Sequence, residues 1–268
     1  MVRFRVQRKI LAVIPARWAS SRFPGKALAR LDSRTMLEHV YERVSMARYL
    51  SSVIIATDDD RIYKEARRFG ARAQMTRNDH LSGTDRVAEV ASAREDVELV
   101  VNIQGDEPLI DPSVIDAAVL PLLEEPAIQM GTMKKRIEDV REISDPNVVK
   151  VVTDRFENAI YFSRSTIPFH RDSRIGNPAA GDTAVHYKHI GLYVYKRDFL
   201  LRYSGMPVGP LEQAERLEQL RALENGFKIR VVETDYESLG VDTPADLERV
   251  QALFRAARAA VLGDEVSK

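Results

Sequence analysis

Apolar residues come in short unbroken bursts through the first half of the chain, with helically spaced apolar positions between the bursts. Ile10, Leu11, Ala12, Val13 and Ile14 form the first burst, a predicted buried strand that turns at Pro15. From Thr35 to Arg48 the apolar positions are Met36, Leu37, Val40, Val44 and Ala47, with charged residues between, which predicts a helix. Val53 to Ala56 is a second short strand, emptying into Thr57-Asp58-Asp59-Asp60. Those carboxylates suit the N-terminus of a helix from Arg61 to Phe69, which Gly70 stops. Ala71 to Met75 predicts a third strand, Thr84 to Arg94 a helix, and Leu99 to Ile103 a fourth strand. The fourth breaks at Gln104-Gly105-Asp106-Glu107-Pro108, and a helix follows from Asp111-Pro112-Ser113 to about Glu125. Strands this apolar are not half exposed, so the alternation argues for a parallel sheet with helices on both faces.

The second half changes style. Val148 to Thr153, Ala159 to Phe162 and Tyr187 to Tyr195 read as strands, separated by a polar segment, His170 to Asp182, that predicts a mobile loop. A helix is expected over about Leu211 to Asn225, ended by Gly226, and a strand over Phe227 to Glu233. The last helix is expected from Pro244 to about Leu262, with Thr243 as N-cap and Pro244 at its first position, before a frayed tail from Gly263. No internal repeat or low-complexity tract is present.

Composition narrows the classes. The chain has 268 residues, enough for one large α/β domain or a domain with a substantial insertion. Lys plus Arg equals Asp plus Glu at 40 each, so nothing global points to nucleic acid or a membrane surface, and any electrostatic specificity must be local. The absence of cysteine excludes disulfides, thiolate metal sites and a cysteine nucleophile, and fits a reducing compartment. No apolar run approaches the roughly 20 residues that span a bilayer. The N-terminus imitates a signal peptide, but its apolar part ends at Pro15 and Arg17 follows, so it reads as a first strand with a ragged leader in a cytoplasmic protein.

The stretch ILAVIPARWASSRFPGKAL, Ile10 to Leu28, carries the first candidate chemistry. A buried strand empties into a loop bearing Arg17, Arg22 and Lys26, cations suited to phosphate oxygens. Ligands in open α/β sheets sit beyond the carboxyl ends of strands, so this loop is expected to grip a nucleoside triphosphate. It matches neither common glycine-rich phosphate fingerprint. A triphosphate needs Mg²⁺, which is commonly held by one or two carboxylates plus the phosphates themselves. Asp106 in QGDEP and Asp242 in GVDTP are both strand-end acids on short loops, and are the expected metal ligands. Glu107 and the run Asp58-Asp59-Asp60 are the alternatives; three successive acids before a helix read more simply as a solvated cap.

Further stretches are specific enough to carry a resemblance: VIIATDDDRI, MTRNDHLSGTDRVAEV, VVNIQGDEPLI, DPNVVKVV, AIYFSRSTIPF, HIGLYVYKR, PLEQAERLEQLRALENGFKIRV and GVDTPADLERV. With the basic loop they lie in order from Ile10 to Val250, and the chain resembles the 3-deoxy-manno-octulosonate cytidylyltransferase family. The resemblance implies an α/β, Rossmann-like, mixed but mostly parallel sheet flanked by helices, of the nucleotide-diphospho-sugar transferase type. It implies one domain over 1–268, with a smaller β-rich subdomain at about 150–210 for sugar binding and dimerisation, and a homodimer. The implied reaction joins CTP to Kdo (3-deoxy-D-manno-octulosonate), an acidic eight-carbon sugar, giving CMP-Kdo and pyrophosphate and activating Kdo for lipopolysaccharide synthesis. The sugar's anomeric hydroxyl attacks the α-phosphorus with Mg²⁺ as cofactor.

Residue roles follow from the same resemblance. Lys26, Arg17, Asp106 and Asp242 would be catalytic, with Mg²⁺ on Asp106 and Asp242. Ala16, Arg17, Arg22, Lys26, Arg77, Ser82 and Asp106 would bind the nucleotide, Arg77 and Ser82 near the cytosine. Gln104, Arg164, His189, Tyr193, Glu218 and Gln219 would line the sugar pocket, with Lys188 and Arg171 as possible helpers. His189 and Tyr193 are four apart on a predicted strand and so share a face. Glu218 and Gln219 are adjacent on the predicted helix, a position that by itself marks an exposed face. The chain departs from the family at PGKAL, where Ala27 replaces a proline, and in the turn ARLDSRTM, which lacks a glycine. An 8-amino analogue of Kdo or sialic acid is the alternative substrate, and a silent nucleotide- or sugar-binding protein the alternative class.

Overall fold

The computed structural model describes residues 8–19, 23–171 and 185–266, with the backbone alone for 256–266. Arg22 and most of the expected His170–Asp182 loop lie outside the described residues. In chain order the elements begin with β1 (Lys9–Ala16), a 3-10 turn (Lys26–Leu28), β2 (Arg30–Leu31), β3 (Arg34–Thr35), α1 (Met36–Ser45) and β4 (Ser52–Thr57). Next come α2 (Asp60–Arg68), β5 (Ala73–Met75), α3 (Gly83–Ser92), β6 (Val97–Asn102), α4 (Pro112–Glu124), β7 (Met130–Arg136) and α5 (Val140–Ser144). The chain continues through β8 (Lys150–Thr153), β9 (Ala159–Ser163), β10 (Tyr187–Lys196) and α6 (Arg197–Ser204). It ends with α7 (Pro210–Glu215), α8 (Leu220–Glu224), β11 (Ile229–Glu233) and α9 (Pro244–Val266).

Two compact units share these elements. The first comprises Leu11–Ala93, Asn102–Pro112 and Ser238–Lys268. In it β1 pairs with β4 and β4 with β5, both parallel, and α1 and α2 supply the crossovers that parallel neighbours require. Leu11 to Ile14 are fully buried in this sheet, as their unbroken apolar run demands. A cluster of Leu31, Met36, Val241 and Val250, joined by Phe23, Leu109, Leu239, Leu247 and Phe254, packs the start of α9 in the same unit. Burying four such side chains contributes on the order of 6–12 kcal/mol before entropy is charged.

The second unit comprises Met1–Ile10, Arg94–Val101 and Ser113–Glu237. Here β10 runs antiparallel to β7 and β8, β8 antiparallel to β9, and β7 parallel to β11. The architecture is the expected mixed, mostly parallel α/β sheet flanked by helices. No helix among the described residues is long and apolar enough to cross a membrane.

The structure corrects three expectations and adds strand β7 and helices α5 and α6 to the expected elements. Strand β1 does not turn at Pro15 but continues to Ala16. The Pro15 nitrogen, which cannot donate, faces the same side as the Val13 carbonyl that accepts from Ile103 N, where the neighbouring chain is already leaving β6. Strand β7 was not expected at all. It buries Thr132 and Lys134 rather than a purely apolar run, and a Cβ on Gly131 would fall 2.7 Å from Leu122. The single helix expected over Leu211–Asn225 is two helices, broken where Arg216 takes left-handed φ 55°. Helix α9 runs to Val266 rather than ending near Leu262.

Candidate active site

The candidate site in the first unit gathers the segments that follow β1 and β6, the 3-10 turn and the starts of α3 and α9; Asp242, expected at a strand end, instead lies nine residues beyond the end of β11, next to α9. A cavity of about 280 Å³ is lined by Pro15, Ala16 and Arg17 at the end of β1, Lys26 and Ala27 in the 3-10 turn, and Gln104, Gly105 and Asp106 beyond β6. His80, Ser82, Gly83 and Arg86 at the start of α3, and Asp242 just before α9, complete the wall.

Lys26 is the hub. Its Nζ lies 2.5 Å from Asp106 Oδ2, 3.1 Å from Asp242 Oδ1 and 3.3 Å from the carbonyl oxygen of Val241. Burial alone would lower the ammonium pKa. The charge of Asp106 and the hydrogen bonds to Asp106 and then Asp242 outweigh that, so the group is held above its ordinary value and stays protonated. The carboxylates are placed by backbone. Asp242 immediately precedes the capping box of α9, in which Thr243 Oγ1 accepts from Asp246 N and the Asp246 carboxylate accepts from Thr243 N. The sequence reading of Thr243 as the N-cap matches this geometry.

Two hard oxygen donors converging on one cation fit a small divalent ion that takes its other ligands from water or phosphate. Among the described residues no cluster of three or more His, Cys, Asp or Glu forms a fuller cage. Glu107 does not compete: it is buried and accepts from Ser238 Oγ at 2.7 Å. Nor does the acidic run converge. Asp58 pairs with Arg86, Asp59 caps α2, and Asp60 pairs with Lys64.

The two residues expected at the base differ in position. Ser82 lines the cavity and also caps α3, accepting from Asp85 N at 3.1 Å while Asp85 accepts from Ser82 N. Arg77 does not line it and forms a two-bond pair with Asp79 on the surface. Two cavity residues escaped the sequence reading. Arg86 is buried, with its guanidinium bonded to Asp58, Thr76 Oγ1 and the Arg77 carbonyl. His80 is paired with Glu89. Arg86 stands on the buried face of α3, while His80 lies in the loop before that helix. Of the sugar candidates, Gln104 lines this cavity.

The remaining sugar candidates lie in the second unit. His189 and Tyr193 do share a face of β10, with ring centroids 5.4 Å apart. The Thr132 hydroxyl has one proton and donates to Leu192 O at 2.8 Å. His189 Nε2 lies 2.8 Å from Thr132 Oγ1, and donates to it in the tautomer that leaves the hydroxyl proton on Leu192 O. Burial pushes the His189 imidazole down to about 3, so it is neutral. Burial, and then the nearby Glu218 carboxylate, push the Tyr193 phenol up. Glu218 and Gln219 do not sit on a helix face. They occupy the turn between α7 and α8, where Gln219 is buried and the Glu218 carbonyl accepts from Tyr203 Oη at 2.6 Å. Across this turn the buried Arg221 forks onto Glu212 at 2.7 and 2.5 Å.

Arg164 is committed to backbone, donating to Glu215 O at 2.7 Å and Pro146 O at 2.9 Å. Lys188 is held between Glu142 and Glu237. Arg171 is exposed.

The cytidylyltransferase family model matches residues 11–229, and the class is thereby that of the cytidylyltransferases. The 3-deoxy-manno-octulosonate cytidylyltransferase of Solibacter usitatus (strain Ellin6076) is 70% identical over 249 residues, covering 93% of this chain and 96% of its own. That of Geobacter sulfurreducens is 58% identical, covering 90% and 97%. A solved structure of CMP:2-keto-3-deoxy-manno-octonic acid synthetase complexed with CTP matches with TM-score 0.86 at 42% identity, over 93% of this chain and 99% of that one. A 4-diphosphocytidyl-2C-methyl-D-erythritol synthase from Anaerococcus prevotii, at 15% identity and TM-score 0.61, shares the fold. The chain belongs to the 3-deoxy-manno-octulosonate cytidylyltransferase family.

Proposed function

We propose that this protein joins CTP to Kdo, forming CMP-Kdo and pyrophosphate by direct attack of the sugar's anomeric hydroxyl on the α-phosphorus. The observation that carries the reading is the convergence of Asp106 and Asp242 on Lys26 at the end of a strand-end cavity. In the reaction the Lys26 ammonium and Arg17 take phosphate oxygens, with Arg22 assigned to the same task from its place in the loop. In-line displacement needs little covalent help from protein, so aligning the phosphates and offsetting their charge is the main contribution of these side chains. A bound Mg²⁺, held by Asp106 and Asp242, would supply further charge neutralisation at the phosphate oxygens.

Ala16, Ser82 and Gln104 bound the same cavity and are assigned to nucleotide and sugar contacts; Arg77 would have to leave Asp79 to join them. Arg164, His189, Tyr193, Glu218 and Gln219 are assigned to the acidic sugar, His189 as a neutral hydrogen-bonding group. The smaller subdomain at about 150–210 is assigned to dimerisation. Ile160 on β9, 60% exposed, and nearby Phe156, 69% exposed, support that surface. The enzyme is assigned to the cytoplasm, with CTP and Kdo as its substrates and no nucleic acid or membrane partner.

The test is pyrophosphate release from CTP with Kdo and Mg²⁺, with sialic acid and the 8-amino analogue in parallel. Release with Kdo alone is the expected result. Release only with another acid overturns the sugar assignment, and no release with any of them leaves a nucleotide-binding protein.

A further inference from the structure

Trp18 is the chain's single tryptophan, it is half-buried, and it is not among the residues lining the cavity. Three observations nevertheless tie it to the cation that organises the site. The carbonyl of Trp18 accepts from Gly25 N at 3.0 Å, bringing the two described ends of the basic loop together. Gly25 lies at φ 72°, and a Cβ built on it would fall 2.8, 3.0 and 3.1 Å from three atoms of the six-membered ring of Trp18. The backbone just before Lys26 is therefore packed directly on the indole, which only glycine permits. Finally, the Arg61 guanidinium stands over the indole, 3.4 Å from its centroid. That guanidinium is itself oriented by Asp59, at 3.0 and 2.6 Å, the residue that caps α2.

We propose that Trp18 is a positioning residue: with Gly25 and Arg61 it forms a clamp that fixes the Lys26 backbone so that the ammonium meets the nucleotide phosphates. The proposal rests on the reading of this cavity as a CTP site. The physical reason is that a lysine on an untethered loop samples many positions, and alignment of reacting groups is what such a site has to offer. The clamp anchors the loop to two fixed elements. One is the end of β1, through the Trp18 main chain, and the other is the N-terminus of α2, through Arg61. Trp18 is not among the residues lining the cavity, so its effect passes through Gly25 to Lys26.

The experiment compares Trp18→Ala, Trp18→Phe and Arg61→Ala with the wild type. The readouts are steady-state kinetics, calorimetric titration with CTP alone, and thermal melting. Trp18→Ala is expected to weaken CTP binding and raise KM for CTP about tenfold, with a lower kcat and an unchanged KM for the sugar acid. Trp18→Phe, which keeps an aromatic face against Gly25 and Arg61, is expected to restore CTP affinity to within about threefold, and Arg61→Ala to weaken it less than Trp18→Ala. In the wild type the single indole is also expected to change emission as CTP binds. Unchanged CTP affinity in folded Trp18→Ala, with a lower melting temperature alone, would overturn the clamp. If the wild type binds CTP but turns over no sugar, the functional reading fails while the CTP titrations still decide the clamp.

Discussion

The main-chain N–H of Val241 donates to the carbonyl oxygen of Asp106 at 2.9 Å. This bond joins the loop that leaves β6 to the loop that enters α9, and Val241 itself is fully buried in the cluster around Leu31 and Met36. The spacing of the Asp106 and Asp242 carboxylates is thus set by backbone and core, not by the side chains' own attraction to Lys26. Changing their charge should leave their positions intact.

Asp106→Asn and Asp242→Asn are each expected to lower pyrophosphate release by about a hundredfold or more, the loss of a few kcal/mol of charge stabilisation. The fold should survive, because the Val241–Asp106 backbone bond remains. Circular dichroism and a CTP titration beside the turnover assay check this; unchanged turnover in either variant would remove that residue from the metal assignment.

Lys26 pairs with both carboxylates and offsets their charge. Lys26→Met is therefore expected to bind Mn²⁺, used as a spectroscopic stand-in for Mg²⁺, more tightly than the wild type in the absence of CTP. The same variant should lose turnover. Electron paramagnetic resonance of free Mn²⁺ measures the first effect, and equal or weaker binding by the variant would contradict it.

His189 has a folded pKa near 3 against an ordinary value of 6.5, so the unfolded chain binds its proton first as pH falls. Its contribution to stability is complete above about 6.5 and is lost progressively as pH drops toward 3. His189→Gln is expected to flatten the fall in denaturant midpoint between pH 7 and 4.5. No limb of the pH–rate profile near 6.5 should belong to this imidazole. A wild-type limb near 6.5 that disappears only in this variant would count against the assignment.

Glu212 and Arg221 are buried and bonded twice across the turn that carries Glu218 and Gln219. Removing one partner strands the other charge, so Glu212→Gln is expected to cost about 3 kcal/mol or more of stability. It should also raise KM for the sugar acid more than KM for CTP. Urea denaturation and the two KM values test both parts.

The apolar bursts made the first half of the fold legible, because residues such as Leu11 to Ile14 have no surface use. Asp106, just beyond β6, and Lys26 were legible for a related reason: charges near the carboxyl ends of buried strands need a ligand or each other, and here they meet. Strand β7 was not legible. Lys134 reads as solvent-facing, yet it is buried by bonds to Thr153 and Glu157 and by the Tyr187 ring at 4.4 Å, partners distant in sequence. The break at Arg216 was hidden because a non-glycine residue takes the left-handed conformation there, which only the surrounding packing dictates. Arg86 and His80 were missed because their role depends on where α3 starts, not on their own spacing.

Lys26 meets carboxylates that lie 80 and 216 positions further along the chain. Contacts of such long range are closed late, after the local helices and hairpins have formed, because the intervening chain must first give up its freedom. During refolding, helical signal should therefore recover before turnover does.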